Sequence, residues 1–408
     1  MFTLHPSFWR APVLAMAVGL LSPMASLATP LTESDAVRLG LSRPELADLT
    51  QARIAEADAD VVAAGTWANP SLEFSRDKTG ASRESTWRLA QPLDVSGRRG
   101  LRQDAARLRL DATEADTRAW REERTTEVRR SFHDVLRQQS TLRVIDAWMA
   151  RFAVIGNVVD KLARAGDASG YDRRRLAREQ QAADAKAAEA RAGLERSRAR
   201  LTALLGQPAM DQDVAGTLLP TLPAGLPSLQ ARLAQRPNLA ALAARADAAN
   251  SDNAAAQRNF PELTVGVGGK RTDDGVLREN GTVFSVSISL PIFDRQQGAE
   301  RRTSAQAMAA RAEYALAKQK AEGDLIGLHR QLVQLIAAAE RYRREAVAPS
   351  ADLVRIAEAA YRAGESTVLE LLDAYKGALE AELTAIDLEG KARDARIELD
   401  QLTGSHPL

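Results

Sequence analysis

The sequence predicts a mostly α-helical protein with a small membrane β part, written as two copies of one unit. Three observations carry that expectation. Ala, Arg, Leu and Glu dominate the 408 residues while aromatics make up 4%, which favours long helices over a compact mixed core. Short motifs recur in the same order, several at an offset of 198 residues. The segments that interrupt the helical pattern alternate apolar with small polar residues at every second position.

Composition also excludes several classes. With 45% apolar and 27% charged residues, the chain is neither a polytopic helical membrane protein nor disordered. Lys and Arg total 55 against 54 Asp and Glu, so no basic excess points to nucleic acid. The absence of Cys removes disulfides, thiolate metal sites, cysteine catalysis and N-terminal cysteine lipidation. Four His are too few for a His-rich metal site. No Ser/His/Asp order, P-loop or dinucleotide fingerprint stands in a supporting context, so neither catalysis nor a cofactor is expected.

At the N-terminus, Arg10 precedes the apolar run Ala11–Leu21 and the small residues Ser26 and Ala28. That pattern predicts a signal peptide over 1–28, with an anchor helix as the alternative. The run is too short to span a bilayer, and no later segment offers 18 uninterrupted apolar residues. Any membrane entry must therefore use strands.

The first repeat is placed at 29–206, the second at 228–404, with a Pro-rich linker at 207–227 and a tail at 405–408. Ser42-Arg43-Pro44-Glu45-Leu46 returns as Gln235-Arg236-Pro237-Asn238-Leu239, and Arg164-Ala165-Gly166 as Arg362-Ala363-Gly364. Leu201, Leu204 and Gly206 return as Leu399, Leu402 and Gly404. Each copy is expected to open with a helix, Thr32–Ala64 and Ser228–Arg258. A β pair follows, within 70–93 and 261–292, and then a long helical hairpin. The stretch from Gly100 to Ala163 would reach about 95 Å as helix. In its counterpart, Gln297 to Arg362, Pro349 should produce a kink. Gly166 and Gly364 reverse the chain at the two tips, expected near 164–172 and 361–373. Val368, Leu372, Tyr375, Leu379, Leu383 and Ile386 then form a coiled-coil seam. The matching helix carries Leu176, Ala182, Ala183, Ala187, Ala188 and Ala192, which permits close approach.

In the β segment Thr282–Ile292, Phe284, Val286, Ile288, Leu290 and Ile292 alternate with Ser285, Ser287 and Ser289. Leu263, Val265 and Val267 alternate likewise, and Leu72, Phe74, Trp87, Leu89 and Leu93 mark the first copy. This fits lipid on one face and water on the other; a half-buried hairpin in a soluble sandwich is the bland alternative. Asp77–Glu84 and Lys270–Gly281 are taken as the polar loops. Four strands cannot close a barrel, and an open edge is not tolerated in lipid. Two chains would give a barrel of about 8 strands, filled by its own side chains, so a conduit calls for three chains and 12 strands. A homotrimer is expected.

The duplicated order of helix, hairpin and long helical hairpin resembles the outer-membrane efflux proteins of the TolC type over essentially the whole mature chain. Ala68-Asn69-Pro70 and Gln91-Pro92-Leu93-Asp94-Val95-Ser96-Gly97-Arg98-Arg99-Gly100-Leu101-Arg102 are similar to the heavy-metal branch, the CzcC- and CusC-like channels. The resemblance implies a trimeric 12-stranded outer-membrane barrel continued by a long α-helical barrel through the periplasm of a Gram-negative cell. Its implied partners are a periplasmic adaptor and an inner-membrane pump of the resistance-nodulation-division class. The implied substrates are heavy-metal cations first, then drugs or solvents, then secreted protein. The tips at Gly166 and Gly364 would meet the adaptor. The family's tip carboxylates fall on Asp172, Glu370 and Asp373, and its constriction aromatic on Tyr361. Glu365-Ser366-Thr367 stands where TolC carries an Arg, so the TolC latch does not transfer.

Rings of carboxylates contributed by symmetry copies repel one another and attract cations, which suits a gate. The alternative is that these three are solvated helix positions near a helix N-terminus. Arg173, Arg174 and Arg175 are placed to meet an acidic adaptor face, or else form a solvated helix start. Arg98, Arg99 and Arg102 should lie at the membrane–periplasm boundary, with Trp67, Trp87 and Phe293 as candidates for an aromatic girdle. His133 and His329 lack a partner at i+3 or i+4 and read as ordinary helix residues. The rival classes are a periplasmic adaptor, which would carry one hairpin, and a soluble coiled-coil scaffold, against which the Phe284–Ile292 alternation argues.

Overall fold

The structure, a computed structural model, describes residues 30–166, 169–207, 213–258 and 260–405. The expected signal peptide, part of the linker and most of the tail lie outside the described residues.

The chain opens with α1 (Glu33–Leu41) and α2 (Pro44–Gly65), and the corresponding pair later is α5 (Leu226–Leu233) and α6 (Pro237–Gln257). The single helices expected at Thr32–Ala64 and Ser228–Arg258 are thus each broken in two. Arg43 and Arg236 have ψ of 128° and 129°, because the ring of the following Pro excludes helical backbone. Pro44 and Pro237 then start new helices at N1, where a missing N–H costs nothing.

Between these pairs and the long helices lie β1 (Ser71–Thr79), β2 (Ser82–Leu93), β3 (Leu263–Asp273) and β4 (Arg278–Ile288). They form one antiparallel sheet in the order β1-β2-β3-β4. The polar segments expected as loops are mostly strand: Asp77 pairs with Glu84, and Lys270 with Gly281. The first turn shrinks to Gly80 and Ala81, the second to Asp274–Leu277. Gly80 and Gly275, with φ of 63° and 89°, make these short turns feasible. In the other direction, β4 stops at Ile288, so Leu290 and Ile292 follow the strand instead of belonging to it.

Helix α3 (Arg98–Ala165) runs unbroken for 68 residues, about 100 Å. It turns at Gly166 (φ 90°) into α4 (Gly170–Leu205). The second hairpin descends through α7 (Gln297–Tyr342), a π-helical turn (Arg343–Val347) and α8 (Ala348–Ala363). It turns at Gly364 (φ 74°) into α9 (Val368–Thr403). Pro349, where a kink is expected, stands in the first turn of α8 just after that π turn. A π turn shifts the ladder by one carbonyl and removes the clash a proline ring would cause.

Both returning helices bury one seam. On α9, Val368, Leu372, Tyr375, Leu379 and Ile386 are buried and Leu383 packs against them. On α4 the seam is Leu176, Ala183, Ala187, Ala190 and Leu194, while Ala182, Ala188 and Ala192 are exposed. Alanine on every face leaves an apolar count uninformative there, so half of the expected α4 seam points outward. Residues 213–221, inside the expected linker, belt the waist of the hairpins. Leu31 N–H donates to the Asp213 carbonyl (3.0 Å), Ala215 N–H to that of Leu31 (2.9 Å), and Val214 and Leu218 enter the core.

Candidate conduit: the two-faced sheet and the helical tips

Strand register decides what the sheet presents. Residues alternate faces along a strand, so the pairing aligns whole rows across the sheet. Leu93, Leu263 and Ile288 make one row; Gln91, Val265 and Val286 the next. Leu72, Leu89, Val267 and Phe284 follow, and then Phe74, Trp87, Gly269 and Thr282. These rows form one face about 20 Å tall along the strands. Phe284 is 80% exposed, Leu72 72%, Val286 68% and Phe74 67%, with Ile288 also exposed. Among the described residues nothing covers this exposed part of the face. Leu290, Ile292 and Phe293 extend the exposed apolar surface beyond β4.

The opposite face is polar: Glu73 pairs with Arg88, and Lys270 with Glu84 at 2.6 Å. Gly266 and Gly268 lie under Arg88 on this side; a Cβ on Gly266 would stand 3.1 Å from Arg88 Cδ. Among the described residues nothing pairs with the outer edges of β1 and β4. The sheet has an apolar face, a polar face and two open edges.

Where strand meets helix, Asp94 accepts the backbone N–H groups of Ser96 (3.1 Å) and Arg99 (2.6 Å) and so organises the start of α3. Burial opposes its ionisation, but these bonds hold the carboxyl below its usual range. Gln91 Nε2 donates to the Ala68 carbonyl (2.8 Å), which ties β2 to the segment after α2. Arg99 lies 4.2 Å from the Trp67 ring centroid and donates to the Gly65 carbonyl (2.7 Å). Arg98 reaches Gln296. The stretch from Gln91 to Arg102 is thus the hinge-piece between sheet and helical stalk. Trp67 and Phe293 stand at this end of the apolar face and Trp87 at its far end.

The tips repeat one construction. Ser169 caps α4 and Thr367 caps α9 in two full capping boxes. Asp172 accepts from Ser169 N–H (3.2 Å) and Oγ (2.7 Å); Glu370 accepts from Thr367 N–H (3.0 Å). Two of the three candidate carboxylates therefore cap their helices. Tyr361 is buried, and both burial and the Asp172 charge raise its phenol. The structure thus brings Asp172 to Tyr361, while Glu370 and Asp373 stay exposed at the start of α9. Arg173 and Arg174 are exposed just past the first cap.

Two pairings at this end escaped the sequence reading. Glu179 on α4 is buried and meets Lys376 of α9 at 2.8 Å; burial opposes its charge, yet Lys376 and Arg178 hold its carboxyl low. Tyr375 donates to Glu358 (2.7 Å) beneath Trp148 and Phe152, each 5.4 Å away edge-on. The available signal for the first was the place of Glu179 at helical spacing between the seam residues Leu176 and Ala183. The second needs the fold.

The family model for outer membrane efflux protein matches residues 39–207 and again 228–405. The chain belongs to that family. Among curated relatives of this efflux-family chain is the cobalt-zinc-cadmium resistance protein CzcC of Cupriavidus metallidurans, 28% identical over 341 residues, covering 82% of this chain and 81% of that one. The nickel and cobalt resistance protein CnrC of the same organism is 26% identical over 302 residues, covering 66% and 68%. Two solved channels share the fold: CusC at TM-score 0.77 and 18% identity, over 98% of this chain and 99% of that one, and OprN at 0.79 and 20%, over 92% and 90%. The family and fold are those of outer-membrane channels, not of enzymes. Among the described residues no helix is long and apolar enough to cross a membrane, and no cluster of His, Asp and Glu is arranged to hold a metal ion.

Proposed function

We propose that this protein is the outer-membrane duct of a tripartite efflux system that passes heavy-metal cations out of the periplasm. The observation that carries the reading is the sheet: one face of exposed apolar rows, one polar face and two unpaired edges. Open edges are too costly in lipid, so the sheet must be completed by other copies. Three copies supply a barrel of about twelve strands, wide enough to conduct. Phe284, Val286 and Ile288 then meet lipid, with Leu290 at the periplasmic margin. The helical hairpins extend the polar lumen toward an inner-membrane pump of the resistance-nodulation-division class, and a periplasmic adaptor receives the tips around Gly166, Gly364, Arg173 and Arg174.

Rings of Asp172, Glu370 and Asp373, backed by Tyr361, narrow that lumen at the tips and favour cations. The substrate class follows from kinship with the cobalt, zinc, cadmium and nickel resistance proteins. The polar lumen needs no metal site of its own, because a passive duct does not select. A strain lacking the gene should lose tolerance to zinc, cobalt, cadmium or nickel and regain it on complementation. Unchanged tolerance to every one of these metals would overturn the substrate class. Detergent extraction from outer membranes, giving a heat-sensitive trimer on gels, tests the duct itself.

A further inference from the structure

The two rows beyond the apolar face break the pattern in a specific way. Continuing toward the end remote from the helices, the same outward side carries Arg76, Ser85, Arg271 and Asn280. The last row is Lys78, Arg83, Asp273 and Arg278. Arg278 donates to Asp273 at 2.8 Å. Arg76, Lys78, Arg83 and Arg271 are exposed, and among the described residues none is in salt-bridge contact with a carboxylate, although Arg83 faces the Asp273 charge across the strands. On the inward side at the same levels stand Asp77, Glu84 and Glu279, with Lys270 the single cation and already paired to Glu84.

Charge is therefore sorted across the thickness of one sheet. Solubility alone would mix the signs on both sides. A cation row directly above lipid-facing side chains, and continuous with them, sits at the height of membrane headgroups. Guanidinium groups hold phosphate bidentately, and two of the four neighbours are cross-strand partners, Lys78 with Arg83. The polar side chains flanking them, Ser85 and Asn280, add hydrogen-bonding capacity without charge.

We propose that Arg76, Lys78, Arg83 and Arg271 form a binding belt for the phosphate groups of the phosphorylated glycolipid in the outer leaflet. This rests on the reading of the strands as membrane strands. The belt fixes the height and orientation of the barrel from outside.

The test uses the full mature protein purified in detergent and offered diphosphorylated lipid A, dephosphorylated lipid A, or inorganic phosphate. The lipid retained per chain is read by mass spectrometry after gel filtration. Wild type should retain the phosphorylated form in preference to the dephosphorylated one. The combined variant Arg76→Gln, Lys78→Gln, Arg83→Gln and Arg271→Gln should retain at least tenfold less, given roughly fivefold per cation at a membrane surface. Lys270→Gln on the inward side removes a charge of the same sign and should leave retention unchanged. Equal retention by wild type and the combined variant, an equal loss in Lys270→Gln, or displacement of the lipid by inorganic phosphate would each overturn the proposal. Insertion into phosphatidylcholine vesicles separates the two readings. If both proteins insert and bind lipid A alike, only the belt fails; if neither inserts, the membrane reading of the strands fails with it.

Discussion

The waist and the tips of the same helical hairpins are held by different physics. At the waist, Arg129 of α3 and Asp400 of α9 pair at 2.9 Å with only 3% and 4% of their side chains exposed. Asp400 also accepts from Arg396 (2.8 Å), and Arg129 reaches Glu33 of α1, which His133 meets at 3.0 Å. Arg393 donates to the carbonyls of Thr217 (2.7 Å) and Leu218 (2.9 Å), so the belt of residues 213–221 is fastened by the same cluster. At the tips, a buried apolar cluster that includes Val159, Leu176, Val354, Leu372 and Tyr375 does most of the holding, helped by the Glu179–Lys376 ion pair and two exposed capping boxes. Breaking a buried network leaves stranded charges, whereas an exposed cap is readily replaced by water. The difference teaches that the waist is locked mainly by buried charge and the tips mainly by apolar packing, so the two answer to different perturbations.

The largest expected effect breaks the waist. Asp400→Ala leaves Arg129 with only the part-exposed Glu33 and should cost about 3 kcal/mol, read as lowered resistance of the assembled protein to heat or denaturant. A loss under 1 kcal/mol there would erase the contrast with the tips.

Acid should act on the same place. Burial alone raises the Glu33 carboxyl, but the hydrogen bond with His133 and the Arg129 charge more than offset it and bring the pKa down to about 2. With the folded value below the ordinary 4.5, its stabilisation is complete above that pH and is lost as pH falls toward about 2. Burial likewise holds His133 below its ordinary 6.5, so acidification charges it first in the unfolded chain and adds to the loss. Hydrogen-exchange protection on α3 near Arg129 should fall through this window before protection near Tyr375 does.

Lys376→Met leaves buried Glu179 with Arg178 alone, a cost of about 1–3 kcal/mol. It should also loosen α4 from α9, raising the single-channel conductance in planar bilayers. Unchanged conductance would show that this pair does not restrain the tip. The smallest effect sharpens the likeness between the tips: Ser169→Ala and Thr367→Ala should each cost about 1 kcal/mol. Asp373→Asn should leave thermal stability within about 0.5 kcal/mol while changing cation block of the channel.

Much of the architecture was legible because it is local. Gly166 and Gly364 end their helices with φ of 90° and 74°, as turn glycines do, and the α9 seam repeats its apolar side chains at helical spacing. Pro44 and Pro237 carried a readable signal, the restriction on the preceding Arg, that an apolar count passes over. The strands were read too short at their charged ends, because Lys78, Arg83 and Arg271 look like loop residues until their register is known. Leu290 was read as strand because alternation continues past the last ladder bond.

Among the tip residues, the sequence placed Asp172 and Glu370 at corresponding positions, yet only the capping geometry shows what holds each. Gln296, at φ 59° where the first copy has Gly97 at 74°, shows a strained cap surviving without its glycine.

The amino-acid order by itself determined the duplicated plan, the long hairpins and the two-faced strands, since periods of 3.6 and 2 are written into neighbouring residues. The tertiary structure decided which charges meet. Arg129 finds Asp400 across 271 positions, Glu179 finds Lys376 from another hairpin, and the outward cations line up only through pairing. Distance along the chain carries no record of such encounters; close packing and strand register create them.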